Sequence, residues 1–173
     1  MLNNKNILIT GAGSGIGRAT SLLAAGYGAN VFCVDLTDGA DATAAEIQAA
    51  GGTATSLRAN VADEAEVETF VQQCVDHYGS IDGIYANAGV SGGGKSVTEL
   101  TVEDWQRTLG VNTVGVFLAV KHSLKHFLAQ GHGAILCTAS VAGLRANAGG
   151  VDYSASKAGA ASSVATPACP TSG

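Results

Sequence analysis

Short runs rich in branched aliphatic residues alternate with longer helical stretches along most of this chain, and that alternation confines it to one fold class. Residues 5–10 (KNILIT), 30–35 (NVFCVD), 53–58, 82–86 and 134–140 predict strands. Residues 16–27, 39–50, 62–78, about 102–110 and about 113–130, with a further segment opening near Asp152, predict helices. Strands separated by helices of this length pair in parallel through crossovers, with both sheet faces covered. The expected class is α/β, a doubly wound parallel sheet. A length of 173 residues predicts one domain. The 24 glycines and only 5% aromatic residues describe a core of small aliphatics joined by tight turns.

Charge and composition remove several function classes. A net charge of −5, with no cluster of Lys and Arg, argues against nucleic acid as a partner. The N-terminus has neither the basic start nor the long apolar stretch of a secretory signal, and no apolar run approaches the ~20 residues of a membrane span. Cys33, Cys74, Cys137 and Cys169 are scattered and form no Cys-x-x-Cys pair, so reduced, mostly buried thiols are expected. These features predict a soluble, cytoplasmic protein. His122 and His126 stand four apart on an expected helix, but no third ligand is evident and Lys121 and Lys125 share the segment. They read as a solvated or subunit-facing surface, and no metal is expected.

Residues 10–17 read TGAGSGIG, between the first strand and the first helix. Glycines let the backbone turn tightly and approach a pyrophosphate closely, while a helix N-terminus offers free N–H groups to the anion. The spacing is not the G-x-G-x-x-G of the common fingerprint, but its position after the first strand of an alternating pattern predicts a dinucleotide site. Asp35 ends the second strand, eighteen residues after Gly17. An acidic residue there accepts hydrogen bonds from an adenosine ribose and repels a 2′-phosphate, which favours NAD over NADP. Arg18 is close enough in sequence to soften that preference.

Residues 153–157 read YSASK, with Tyr153 and Lys157 on one face of the last expected helix. A phenol beside an ammonium can exchange protons, because a nearby cation favours the phenolate.

With these elements in this order, the chain resembles the short-chain dehydrogenase/reductase family over residues 3–160. The matching features are TGAGSGIG, Asp35, Asn60-Val61, Asn87-Ala88-Gly89, Asn112, Ser140, and Tyr153 with Lys157. The resemblance implies a Rossmann-type sheet of strand order 3-2-1-4-5 and hydride transfer between NAD(P) and a small alcohol or carbonyl substrate. It also implies a homodimer or homotetramer. In that scheme Tyr153 is the general acid/base and Lys157 assists it and holds the nicotinamide ribose. Ser140 bonds the substrate oxygen, and Asn112 supports a water-linked proton path. Taken alone, Ser140 reads as a cap and Asn112 as a turn residue. Around NAD the resemblance puts Gly11, Ser14, Ile16, Gly17, Asp35, Asn60, Val61, Asn87, Ala88 and Gly89, besides Tyr153 and Lys157. Asn60 departs from the family, which usually has Asp near the adenine.

The end of the chain also departs. Members of the family continue with two more strands, a helix and a closing loop, so the last strand here is expected at an open edge of the sheet. Residues 1–160 read as the NAD-binding domain with its catalytic residues. Residues 161–173, which hold both prolines and no charged residue, read as an atypical, disordered tail. Three functions follow: an NAD-dependent oxidoreductase interconverting secondary alcohols and ketones, a nucleotide-binding remnant without turnover, or a partner subunit assembling through residues 113–130.

Overall fold

Strand β1 (Asn6–Thr10) occupies the centre of a five-stranded parallel sheet because its side chains are apolar on both faces. The structure, a computed structural model, describes residues 1–145 and 147–165. The other strands are β2 (Asn30–Asp35), β3 (Thr53–Arg58), β4 (Gly83–Ala86) and β5 (Ala134–Cys137). Their order is β3-β2-β1-β4-β5, as the resemblance implied. The helices are α1 (Gly15–Gly26), α2 (Gly39–Ala49), α3 (Glu64–Tyr78), α4 (Val102–Leu109), α5 (Gly115–Gln130) and α6 (Val151–Ala165).

The period-2 alternation of the strands divides the interior into two layers. Leu8, Phe32, Val34 and Ile84 point toward α3, α5 and α6, where they pack on Val67, Phe70, Leu118 and Ala160. Ile9, Val31 and Cys33 point the other way, onto Ala24, Ala40, Ala44 and Ile47 of α1 and α2. Burying each large side chain contributes roughly 1.5–3 kcal/mol, so Phe70 and Ile47 anchor opposite layers. β5 pairs with β4 alone among the described residues, and Leu136 is 60% exposed.

Four expectations need correction. Helices α4 and α5 are not separated by a break: a π-turn at Gly110–Val114 joins them, and the extra residue rotates Asn112 inward. Strand β5 ends at Cys137, short of the expected Ser140, because its partner β4 ends at Ala86. His122 is not a solvated or subunit-facing residue. It shares the buried face of α5 with Leu118, is 4% exposed, and lies 3.1 Å from Glu64 and 3.6 Å from Glu68 of α3. Helix α6 runs to Ala165, so residues 161–165 of the expected tail are helical, while residues 166–173, with Cys169, lie outside the described residues.

Cys33, Cys74 and Cys137 are unpaired. Burial pushes the Cys33 thiol up to about 11, against a small opposing effect of Ser21, and the Cys74 thiol up to about 12. A thiol whose folded value is raised adds stability below its unfolded value near 9, and that stability is lost as pH climbs through the folded value. Each thiol therefore costs roughly 1.4 kcal/mol per pH unit above the unfolded value. The urea midpoint should fall steeply between about pH 9 and 11, where burial of the Cys137 thiol and, above about pH 10, of the Tyr78 phenol adds to the fall, and Cys74→Ala should reduce that slope by roughly a third. An unchanged slope in Cys74→Ala would show that Cys74 is not desolvated.

Candidate active site

The strand order reverses between β1 and β4, and the crevice outside the carboxyl ends of strands at such a point is where α/β sheets bind ligands. A cleft of about 470 Å³ opens there, with residues from the ends of β1, β2, β4 and β5 and from α6 in its walls. The loop after β1 is locked to the loop after β4. Thr10 Oγ1 accepts from the backbone N–H groups of Asn87 and Ala88 at 3.0 and 3.1 Å, and Asn87 Nδ2 donates to the Thr10 carbonyl at 3.1 Å. Gly11 takes φ +67°, and a Cβ there would stand 2.9 Å from Ala88 Cα. Gly17 acts beneath the cleft. A Cβ on it would lie 2.0 Å from the Gly11 carbonyl oxygen, so only glycine lets α1 start this close to the loop.

These features fit an adenine dinucleotide. The Ser14 hydroxyl makes no capping bond to α1, and a Cβ on Gly15 would meet nothing within 4 Å. The helix N-terminus thus faces open space with its N–H groups available to a phosphate. Asp35 lines the cleft and braces the loop from the side: Oδ2 accepts from Gly13 N at 2.9 Å, and Oδ1 accepts from Thr37 N and Oγ1 at 3.0 and 2.9 Å. Asn60 Oδ1 accepts from Ala62 N at 3.0 Å, so its side chain also shapes the turn into α3. Arg18 is paired with Glu46 of α2 and does not line the cleft.

Helix α6 closes the opposite wall. Tyr153 and Lys157 both line the cleft, with Lys157 Nζ 5.9 Å from the centre of the Tyr153 ring. Lys157 is 3% exposed and donates to the Thr138 carbonyl at 2.8 Å. Burial holds its ammonium below the ordinary lysine range, with the Cys137 thiol opposing the shift. Asn112, fully buried at the π-turn, uses its whole amide. Oδ1 accepts from Val90 N at 2.8 Å, while Nδ2 donates to Val90 O and Ser156 Oγ, both at 2.9 Å. Ser156 Oγ donates to the Tyr153 carbonyl at 2.8 Å, and Thr113 Oγ1 to the Ser156 carbonyl at 2.8 Å. The Tyr153 helix is thereby fastened to the π-turn and to the loop after β4.

Of the residues expected around the dinucleotide, Gly11, Ser14, Ile16, Asp35, Asn60, Val61, Asn87, Ala88, Gly89, Tyr153 and Lys157 line one cleft, and Gly17 lies behind it. Asn112 supports the wall without lining it. Ser140 does not line it either: its hydroxyl accepts from Ala142 N at 3.2 Å and caps the 3₁₀ turn at Val141–Gly143. Thr138 went unnoticed in the sequence. Its carbonyl receives Lys157, and its hydroxyl lies 2.8 Å from both Asn87 Oδ1 and the Tyr85 hydroxyl, joining the two halves of the cleft. Thr10 and Ser156 stand inside the TGAGSGIG and YSASK runs, but their bracing roles depend on partners 77 and 44 residues away and leave no local pattern.

A family model described as short chain dehydrogenase matches residues 5–171. The chain belongs to the short-chain dehydrogenase family. It is 40% identical over 154 residues to a cis-4-hydroxycyclohexanecarboxylate dehydrogenase of Sinomonas cyclohexanicum, covering 89% of this chain and 62% of that protein. It is 41% identical over 143 residues to a cyclohexanol dehydrogenase of Acinetobacter sp. (strain SE19), covering 82% of this chain and 57% of that one. Among solved structures, an NAD+-bound xylitol dehydrogenase superposes with a TM-score of 0.87 at 32% identity, over 91% of this chain and 61% of that one. The chain therefore spans about three fifths of the length of these short-chain dehydrogenases. Among its described residues no helix is long and apolar enough to cross a membrane.

Proposed function

We propose that this short-chain dehydrogenase interconverts a secondary alcohol and a ketone by hydride exchange with NAD. The observation that carries the proposal is the buried Lys157 ammonium 5.9 Å from the Tyr153 ring, in the same cleft as the glycine loop. The bound dinucleotide supplies the hydride acceptor for oxidation and the donor for reduction. Tyr153 takes the alcohol proton as the carbonyl forms and returns it in the reverse direction. Lys157 favours the phenolate through its charge, and the Thr138 carbonyl holds the amine in place. Ser140, which stands outside the cleft lining and accepts from Ala142 N, keeps its hydroxyl proton to donate to the substrate oxygen, the role that the family resemblance gives it. Asn112 keeps the Tyr153 helix and Val90 in register, and supports a water-linked proton path.

Alicyclic alcohols are the substrate class to try first. Two relatives act, by name, on six-membered-ring alcohols, and Ala88, Val90 and Val111 give the cleft that Tyr153 lines some apolar wall. NADH formation from cyclohexanol and substituted cyclohexanols, beside a thermal shift with NAD, tests the proposal. A thermal shift without turnover supports the second reading, a nucleotide-binding chain inactive alone. The exposed Leu136, Val141 and Leu144 around the Ser140 loop favour that reading. Self-association is proposed through the outward face of the segment 113–130, where Val114 at the end of the π-turn and Phe117 of α5 are exposed.

Asp35 supports NAD over NADP through its carboxylate. Like charges about 7 Å apart near a protein surface repel by roughly 2 kcal/mol, about thirtyfold in affinity. Asp35→Asn removes the charge and keeps one acceptor oxygen, enough for Thr37 but not also for Gly13, so the ratio, in which a shared loop displacement cancels, is the quantity to read: NADPH-to-NADH dissociation constants should shift by roughly that factor toward NADPH. Fluorescence titration reads it, and an unmoved ratio would remove Asp35 from the selection.

A further inference from the structure

Asp152 precedes Tyr153 in the first turn of α6 and is 2% exposed. Its Oδ2 lies 2.8 Å from the fully buried Thr108 hydroxyl near the end of α4, which donates its one proton to this nearer, carboxylate acceptor in competition with the Asp104 carbonyl at 3.0 Å. Against the same carboxylate runs the glycine-rich loop that follows β4. A Cβ on Gly92, which takes φ +76°, would stand 2.6 Å from Oδ2 and 3.0 Å from Oδ1. Gly150 flanks the carboxyl from its other side, where a Cβ would stand 3.1 Å from Oδ1. Helix α4 holds this loop a second time, through Lys95 Nζ to Asp104 Oδ2 at 2.5 Å. The start of the loop is held at Val90 by Asn112, and Val90 and Ser91 line the cleft. Neither Asp152 nor Thr108 lines it.

We infer that Asp152, clamped by Thr108, is a positioning residue that sets the gap between the first turn of the Tyr153 helix and the Gly92 loop. It thereby governs the fit of the alcohol or ketone, not the hold on the dinucleotide. The inference rests on the dehydrogenase reading for its consequence in catalysis, but not for its structural content. A buried carboxylate that loses its hydroxyl donor must recruit water or move. Either change displaces Gly92, which has no room to stay, and with it the wall formed by Ser91.

Three variants of the full chain test this. Thr108→Val keeps the shape and deletes the donor, Thr108→Ser restores it, and Asp152→Asn keeps an acceptor while giving up the stronger charge-assisted bond. Amide hydrogen exchange at Val90 and Ser154, whose N–H groups are bonded to Asn112 Oδ1 and to the Gly150 carbonyl at the two edges of this contact, should speed up about tenfold in Thr108→Val and about threefold in Asp152→Asn, and return to wild type in Thr108→Ser. The turn at residues 10–17 should stay unchanged in all three. Exchange needs no turnover, so it decides the positioning role even for a chain that oxidises nothing; absent turnover in the wild type counts against the dehydrogenase reading alone. With turnover, Thr108→Val should raise KM for the alcohol about tenfold and leave KM for NAD within about twofold, with recovery in Thr108→Ser. Exchange at Val90 and Ser154 unaltered in Thr108→Val and Asp152→Asn, exchange raised equally throughout the chain, or equal rises in both KM values would overturn the inference.

Discussion

Tyr153→Phe should lower kcat for alcohol oxidation by about 10²- to 10⁴-fold, the range for loss of a general acid/base. That is roughly 3–5 kcal/mol of transition-state stabilisation. The change is narrow. The ring that lies 5.9 Å from Lys157 Nζ remains, the Tyr153 carbonyl still accepts from Ser156, and only the hydroxyl is gone. The dissociation constant of NADH should therefore stay within about twofold, and the melting temperature within a few degrees, since no buried partner is left unpaired. Stopped-flow single turnovers, which isolate the chemical step, are the measurement to make. A variant retaining more than about a tenth of the wild-type rate would remove Tyr153 from the proton transfer and leave Lys157 a structural amine.

The layout was legible because it follows from periodicity. Leu8 and Ile9 alternate between two cores, and helical segments between successive strands dictate crossovers, so class and strand positions could be read directly. The dinucleotide turn was legible because glycines clustered between a strand and a helix serve few other purposes. Less accessible was anything fixed by contacts between distant residues. The π-turn at Gly110–Val114 leaves no local mark, yet it is what turns Asn112 toward Val90 and Ser156. Thr138 matters because Lys157, nineteen residues later, reaches its carbonyl. His122 looked like a surface residue beside two lysines, and only the packing of α5 on α3 puts it under Glu64 and Glu68.

Gly17 brings these two kinds of information together, and its substitution should have a large effect for a reason the sequence did not supply. Within a helix, Gly→Ala ordinarily gains about 1 kcal/mol. Gly26, also in α1, would place its Cβ in open space, so Gly26→Ala should be neutral or stabilising. At Gly17 the added methyl would lie 2.0 Å from the Gly11 carbonyl oxygen and 2.6 Å from Asn87 Nδ2, which is itself bonded to Thr10. Neither atom is the loose end of a flexible chain, so the start of α1 must move away from the loop. Overpacking of this kind costs about 1–3 kcal/mol or more and outweighs the helical gain. Gly17→Ala should lower the melting temperature by about 4–8 °C. Because the N–H groups at the start of α1 move with the helix, NADH affinity should fall about tenfold or more, although Gly17 itself stands outside the cleft. If Gly17→Ala matched Gly26→Ala in both melting temperature and NADH affinity, the close contact between α1 and the Gly11 loop would be wrong, and with it the account of how this turn is shaped to hold a pyrophosphate.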